Sequence, residues 1–311
     1  MVVKVHNRDS LRRFMFEQFP IRGHLVHLDA AWVALIQHRK YPAAIRNLLG
    51  EAAAASLLLG ATIKFEGALS LELRGDGPVH LLLAQCTSGL GVRGLARHSE
   101  QVLHDERFMH ETEIGALLGA GRLTVTLETE DQAQRYQGIV SLTGKRLADS
   151  LQVYFENSEQ IPTRIWLHAD AEGASGLLLQ RLPGGLPGQL AASSELLIED
   201  AWRRVQLLAD TLTPAELATL PDTEILHLLF NEDDVRVYDE SPVFFRCRCS
   251  AQRVTDMLQG LGEVETRSIL AERGTVEICC DFCNRAYVFD SVDVEKLFNP
   301  ATSLAKGQSV H

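Results

Sequence analysis

Five of the six cysteines in this 311-residue chain fall between residues 247 and 283. They form a C-x-C pair, Cys247-Arg248-Cys249, and a C-x-x-C pair, Cys280-Asp281-Phe282-Cys283, with Cys279 directly before the second pair. Two short thiol knuckles brought together by the chain between them are the usual way to hold a tetrahedral Zn2+ ion. The stretch from about Asp239 to Phe298 is some ~60 residues long, a size at which an apolar core alone is marginal. The cysteines therefore predict a small C-terminal unit, over 239–311, that depends on a metal staple. Because Cys279-x-x-x-Cys283 is also a chelating spacing, the register of the second pair stays open at this point.

In a reducing compartment, thiols clustered in this way serve metal or redox chemistry rather than structural disulfides. The N-terminus from Met1 to Ser10 lacks the apolar core of a secretory signal, and no apolar run approaches the ~18–20 residues of a membrane-spanning helix. A cytoplasmic protein, not associated with a membrane, is expected. A formal charge of −11 argues against nucleic acid as a partner, since phosphate contacts need a basic surface. That charge is concentrated. Residues 194–240 hold 12 acidic and 3 basic side chains, a net −9, between two nearly neutral flanks.

The hydrophobic pattern predicts an α+β protein: an N-terminal antiparallel β-sheet domain (1–182) with helices packed on one side, a helical linker (183–238) and the C-terminal unit. A short helix is predicted over Asp9–Phe19 and a stronger one over Tyr41–Gly60, opened by Pro42. Leu69, Leu71 and Leu73 alternate with Ser70, Glu72 and Arg74, the period of a half-buried strand. Arg74-Gly75-Asp76-Gly77-Pro78 supplies a turn, and Val79–Ala84, Leu123–Leu127 and Arg135–Thr143 continue as strands. A helix over Arg146–Glu159 and a hairpin of Thr163–Ala169 with Gly176–Leu182 complete the domain. Pro183–Gly188 reads as a linker. Beyond it, Leu196, Leu197, Trp202, Val205, Leu208 and Leu212 recur at helical spacing, and Thr213-Pro214-Ala215-Glu216 is a capping box with proline at the first helical position. An acidic, strongly amphipathic connector has to bury its apolar face against something.

The zinc site has two readings, a staple that only holds the fold and a switch. Zinc holds cysteine as thiolate, the form that oxidants attack. Around a tetrahedral ion with Zn–S near ~2.3 Å the sulfurs sit roughly 3.8 Å apart, whereas a disulfide needs about 2.05 Å. One pair cannot satisfy both, so oxidation and metal binding exclude each other.

Further motifs resemble the heat-shock protein 33 family of redox-regulated bacterial chaperones along nearly the whole chain. They include Phe14-Met15-Phe16-Glu17, Ile21-Arg22-Gly23-His24-Leu25-Val26 and Tyr41-Pro42. Thr62-Ile63-Lys64-Phe65-Glu66-Gly67, Tyr136-Gln137-Gly138-Ile139-Val140 and Tyr154-Phe155 with Ser158-Glu159-Gln160-Ile161-Pro162-Thr163 continue the match. Phe245-Arg246-Cys247-x-Cys249-Ser250, Ser268-Ile269-Leu270-Ala271-Glu272 and Cys280-Asp281-Phe282-Cys283 complete it. The resemblance implies zinc on Cys247, Cys249, Cys280 and Cys283 in an inactive reduced state. It implies Cys247–Cys249 and Cys280–Cys283 disulfides on oxidation, with unfolding of the C-terminal unit and linker. The product is an ATP-independent holdase, dimeric when active, that binds unfolded client proteins. Leu196, Leu197, Trp202, Val205 and Leu208 then become candidate client contacts. Two departures stand out: Asn284 replaces a common glycine, a position where asparagine tolerates left-handed geometry, and Cys279 is an addition.

Cys86, beside Thr87-Ser88-Gly89, reads as a buried strand cysteine rather than a nucleophile. No H-x-x-x-H, G-x-S-x-G or G-x-x-x-x-G-K-[ST] motif is present, and no enzyme is expected. A zinc-ribbon protein with an enzymatic N-terminal domain and a purely structural interaction module are the competing readings. The last of these predicts that oxidation abolishes function rather than switching it on.

Overall fold

The computed structural model describes residues 8–110, 113–129, 135–183 and 195–299. By their contacts Met1–Arg246 form one unit and Cys247–His311 another. Strands β1 (Ser10–Phe16) and β2 (Ile21–Leu28) open the first unit and lead to helices α1 (Ala30–Ile36) and α2 (Ala43–Thr62). A meander of β3 (Gly67–Gly75), β4 (Val79–Thr87) and β5 (Gly91–His98) follows. Helix α3 (Ile114–Leu118), β6 (Gly121–Thr129), β7 (Arg135–Ser141) and α4 (Leu147–Tyr154) lead to the hairpin β8 (Thr163–Ala169) and β9 (Ala174–Arg181). Three helices come next, α5 (Glu195–Ala209), α6 (Pro214–Thr219) and α7 (Asp222–Phe230), and then short strands β10 (Val235–Val237), β11 (Ser241–Pro242) and β12 (Phe244–Phe245).

These strands make two sheets, not the single sheet that tight turns alone suggest. The first runs β10-β1-β2-β9-β8 with β11 also on β1, and the second β12-β5-β4-β3-β6-β7. Their pairs are antiparallel except β12 on β5. Helix α2 explains the arrangement. Fourteen of its 20 residues are buried, including the run Ala52–Ala55, and a helix apolar all round needs cover all round. It packs against strands of both sheets. In β3 the expected alternation holds, with Leu69, Leu71 and Leu73 fully buried.

The first sheet is covered on both faces, so β2 is buried along nearly its whole length. One face belongs to the α2 core and the other to α5–α7. There Phe14, Phe16, Ile21, Leu25, Leu177 and Leu179 meet Ala201, Trp202, Val205 and Ala209. The helices thus lie between the sheets and on one outer face, not on a single side. Gly23 makes this seam possible. A Cβ there would stand 2.0 Å from the tip of the Phe14 ring.

The segment Asp9–Phe19, predicted helical, contains strand β1 instead. Leu11 and Phe14 imitate a helical stripe, but they face opposite cores, as strand residues an odd number of positions apart do, and pairing with β2 and β10 overrides local propensity. Helix α4 is regular only to Tyr154. A π-type turn, Phe155–Glu159, follows and closes at Gln160 with φ 54°. The linker predicted at Pro183–Gly188 lies, from Gly184 onward, outside the described residues. Where sequence suggests boundaries at 182/183 and 238/239, contacts join 195–246 to the first unit. The reason is that α5–α7 pack on its sheet, β10 and β11 pair with β1, and β12 pairs with β5.

The second unit holds helices α8 (Ala251–Leu261) and α9 (Glu263–Arg273), hairpin β13 (Val276–Cys279) and β14 (Ala286–Phe289), and helix α10 (Ser291–Phe298). Among the described residues its buried apolar core is Val254, Leu258, Val276 and Val294, with partly buried neighbours such as Ile278 and Phe289. Among the described residues, no helix is long and apolar enough to cross a membrane.

Candidate metal centre

The two cysteine motifs meet because each sits at the end of an element. Cys247 and Cys249 lie between β12 and α8, whose N-cap Ser250 accepts the Arg253 N–H at 3.2 Å. Arg253 Nη1 also donates to the Arg248 carbonyl at 2.9 Å, tying the first knuckle down. Cys280 and Cys283 occupy the β13–β14 turn. There the Cys280 N–H donates to the Arg285 carbonyl at 2.9 Å and the Asn284 N–H to the Cys280 carbonyl at 2.8 Å. Asn284 closes this knuckle at φ 52°, the left-handed geometry that an asparagine side chain tolerates.

All four Sγ atoms lie within 4.8 Å of one another. Cys247 and Cys280 are 3.6 Å apart, Cys249 and Cys283 3.4 Å. A tetrahedral ion with Zn–S near ~2.3 Å calls for edges of roughly 3.8 Å, so the residues fit such an ion. Their electrostatics agree. Left to themselves the thiols cannot all ionise. Burial, reinforced by the neighbouring thiols, pushes Cys247 up to about 12 and, again led by burial, moves Cys283 upward. For Cys249 burial is outweighed by the Tyr287 hydroxyl and the other three thiols, and it comes down to about 7. A dication supplies the charge that four thiolates at this spacing need.

Cys279 stands outside the cluster. It is exposed, opposite Ala286 in the hairpin, and its sulfur lies 3.7 Å from a Glu277 carboxylate oxygen. Successive strand residues point to opposite faces, which selects Cys280 over Cys279 as a cluster member. Cys86 is fully buried, donates to the Ser56 carbonyl at 3.0 Å and is pushed up to about 12 by burial, an inert core thiol. The five apolar positions singled out on α5 divide: Trp202 and Val205 are buried and Leu208 partly so, whereas Leu196 is 81% and Leu197 57% exposed. Sequence reading overlooks a polar cluster beneath α6 and α7, built on His27, Asp222 and Arg12. Its members are far apart in the chain and form no motif.

Fold and site together define a class, a two-sheet α+β body followed by a small cysteine-stapled C-terminal unit. The chain belongs to the Hsp33 protein family, whose model matches residues 9–290, and is thereby a member of a chaperone family. A 33 kDa chaperonin of Nitrosococcus oceani is 47% identical over 294 residues, spanning 94% of this chain and 96% of its own. One from Ectopseudomonas mendocina is 40% identical over 304 residues, 97% and 99% of the two chains. The crystal structure of the Thermotoga maritima 33 kDa chaperonin (heat shock protein 33 homolog) matches with TM-score 0.78 at 20% identity. It covers 95% of this chain and 99% of that one, and establishes the likeness of fold.

Proposed function

We propose that this chain is a cytoplasmic, ATP-independent holdase that is switched on by oxidation of its four-cysteine centre. The observation that carries the proposal is the convergence of four partly buried thiols on a unit with four buried apolar residues among those described. In the reduced state Cys247, Cys249, Cys280 and Cys283 would hold Zn2+. The ion would supply the positive charge that keeps all four sulfurs as thiolates, together with the cross-link that the small core lacks.

The switch is the loss of that donor set. Two thiolates give two electrons to a peroxide, whose O–O bond breaks. With two protons from solvent, one disulfide and two waters result, and the second pair repeats the step. The pairs proposed are Cys247–Cys249 and Cys280–Cys283. The sulfur contacts of 3.6 and 3.4 Å run across the motifs, so disulfide mapping by mass spectrometry is part of the test. Disulfide sulfurs near 2.05 Å cannot serve as four tetrahedral thiolate donors. Residues 247–299 then lose their staple, and the acidic segment 195–230 leaves the first sheet. Trp202, Val205 and Leu208, with Leu196 and Leu197, thereby become available to unfolded clients. The active form proposed is a homodimer, with neither nucleic acid nor membrane as partner.

The experiment is light scattering of a thermally unfolding client with reduced and with peroxide-treated protein, while released zinc is followed with a metallochromic dye. Suppression of aggregation only by oxidised, metal-depleted protein is expected. Metal loss without any gain in holdase activity makes the site a structural staple and overturns the proposal.

A further inference from the structure

His27, on β2, is buried under α6 and α7. Its Nδ1 lies 2.9 Å from Asp222 Oδ1 and its Nε2 3.0 Å from the Leu217 carbonyl oxygen. A backbone carbonyl only accepts, and an ionised carboxylate only accepts. Asp222 is ionised: its Oδ2 accepts from the Arg12 guanidinium at 2.8 Å in an ion pair, and although burial works to raise its pKa it lies below the ordinary carboxylate range. Both contacts are therefore hydrogen bonds only when both ring nitrogens carry protons, that is, when His27 is an imidazolium. With one proton gone, one buried acceptor faces a bare nitrogen.

The surrounding groups complete the device. Arg12 Nε donates to Asp222 Oδ2 at 2.8 Å, its Nη1 to the Tyr238 carbonyl at 3.1 Å and its Nη2 to Glu240 at 2.7 Å. Arg8 donates to the Ala218 carbonyl at 2.6 Å and pairs with Asp29, while Asp9 accepts the Asp29 N–H. The side chains of Arg8, Asp9, Arg12, Asp222 and Glu240 also line an open cleft of about 390 Å3, which brings solvent to the edge of the network. Two arginines and one histidine of the sheet side thus hold a carboxylate and four backbone carbonyls, those of Leu217, Ala218, Leu220 and Tyr238.

We propose that the His27–Asp222–Arg12 cluster is a proton-dependent latch that fastens α6 and α7 to the first sheet. The latch rests on the reading that this segment is released on activation, and it adds a second input to that release. Docking takes up one proton at His27. Loss of that proton leaves one of the two buried acceptors facing a bare nitrogen and weakens the latch. Alkaline conditions therefore favour release and mild acid opposes it, independently of thiol oxidation.

Two measurements on the full-length, reduced, zinc-loaded protein test it. In 15N spectra at pH 6, both His27 ring nitrogens are expected to show protonated shifts. A single unprotonated nitrogen there overturns the proposal. Protease cleavage within 195–230, corrected against an unfolded reference peptide, is expected to quicken about tenfold from pH 6 to 8.5, the equivalent of losing one charge-assisted hydrogen bond. H27Q and D222N are expected to cut at a pH-independent rate. An unchanged rate in the wild type, or an equal slope in the folded D222N variant, also overturns it. Both readouts use reduced protein without a client. If oxidised protein fails as a holdase while these slopes stand, the redox reading falls and the latch remains.

Discussion

His24 sits one pleat away from the latch, on the opposite face of β2, and its situation is reversed. Neither ring nitrogen has a hydrogen-bond partner among the described residues, and burial, aided by Arg22 and Arg13, pushes its pKa down to about 3. The unfolded chain binds a proton at this imidazole below about pH 6.5, whereas the folded chain does not until about pH 3. Stability is thus full above the unfolded value and is lost as pH falls below it, by about 2 kcal/mol at pH 5. Replacing His24 with leucine should remove this loss. Melting curves of H24L and wild type are expected to diverge between pH 7 and 5, and parallel curves would refute the assignment. The second test at this scale concerns Cys279 and Cys280. C279S is expected to keep one metal per chain, measured by chelator titration, and C280S to lose it. Sequence alone could not choose between these neighbours. The choice follows from which face of β13 meets the first knuckle.

At the scale of elements, strands and helices with one local period were legible, and those shaped by two cores were not. The alternation in β3 and the capping box of α6 (Glu216 N–H to Thr213 Oγ1 3.2 Å, Thr213 N–H to Glu216 Oε2 2.9 Å) could be read directly. Strand β1 was hidden because Leu11 serves the α2 core and Phe14 the α5–α7 core. Helix α2 was placed correctly, yet its alanines gave no sign that two sheets would sandwich it. Helix α5 predicts how its two faces differ. Trp202→Ala empties a buried site and should loosen docking by about 3–5 kcal/mol, seen as faster protease cleavage of 195–230 in the reduced protein. Leu196→Ser with Leu197→Ser touches exposed positions and should stay within about ±0.5 kcal/mol of wild type. If these leucines contact clients, the double variant nevertheless suppresses aggregation less well once oxidised. Unchanged suppression removes them from the client surface.

The whole molecule joins two cores of very different strength. The first unit buries two large clusters around α2 and beneath α5–α7, while among the described residues the second buries Val254, Leu258, Val276 and Val294. A structural zinc site contributes on the order of 10–16 kcal/mol in small domains, against a total stability of about 5–15 kcal/mol for a typical domain. The second unit should therefore be folded with metal and unfolded without it, and the core around α2 in the first unit should be indifferent. A chelator added to reduced protein is expected to open residues 247–299 to protease and amide exchange, while β3, β4 and β6 keep their protection. Re-addition of Zn2+ should restore the second unit. If 247–299 stay protected after complete chelation, the four cysteines are not its staple, and oxidation would have no folding energy to withdraw. The centre was legible in sequence because each knuckle is local, two thiols within one turn. How far its loss propagates depends on contacts between distant residues, such as Asp222 on His27, and only the folded chain reveals those.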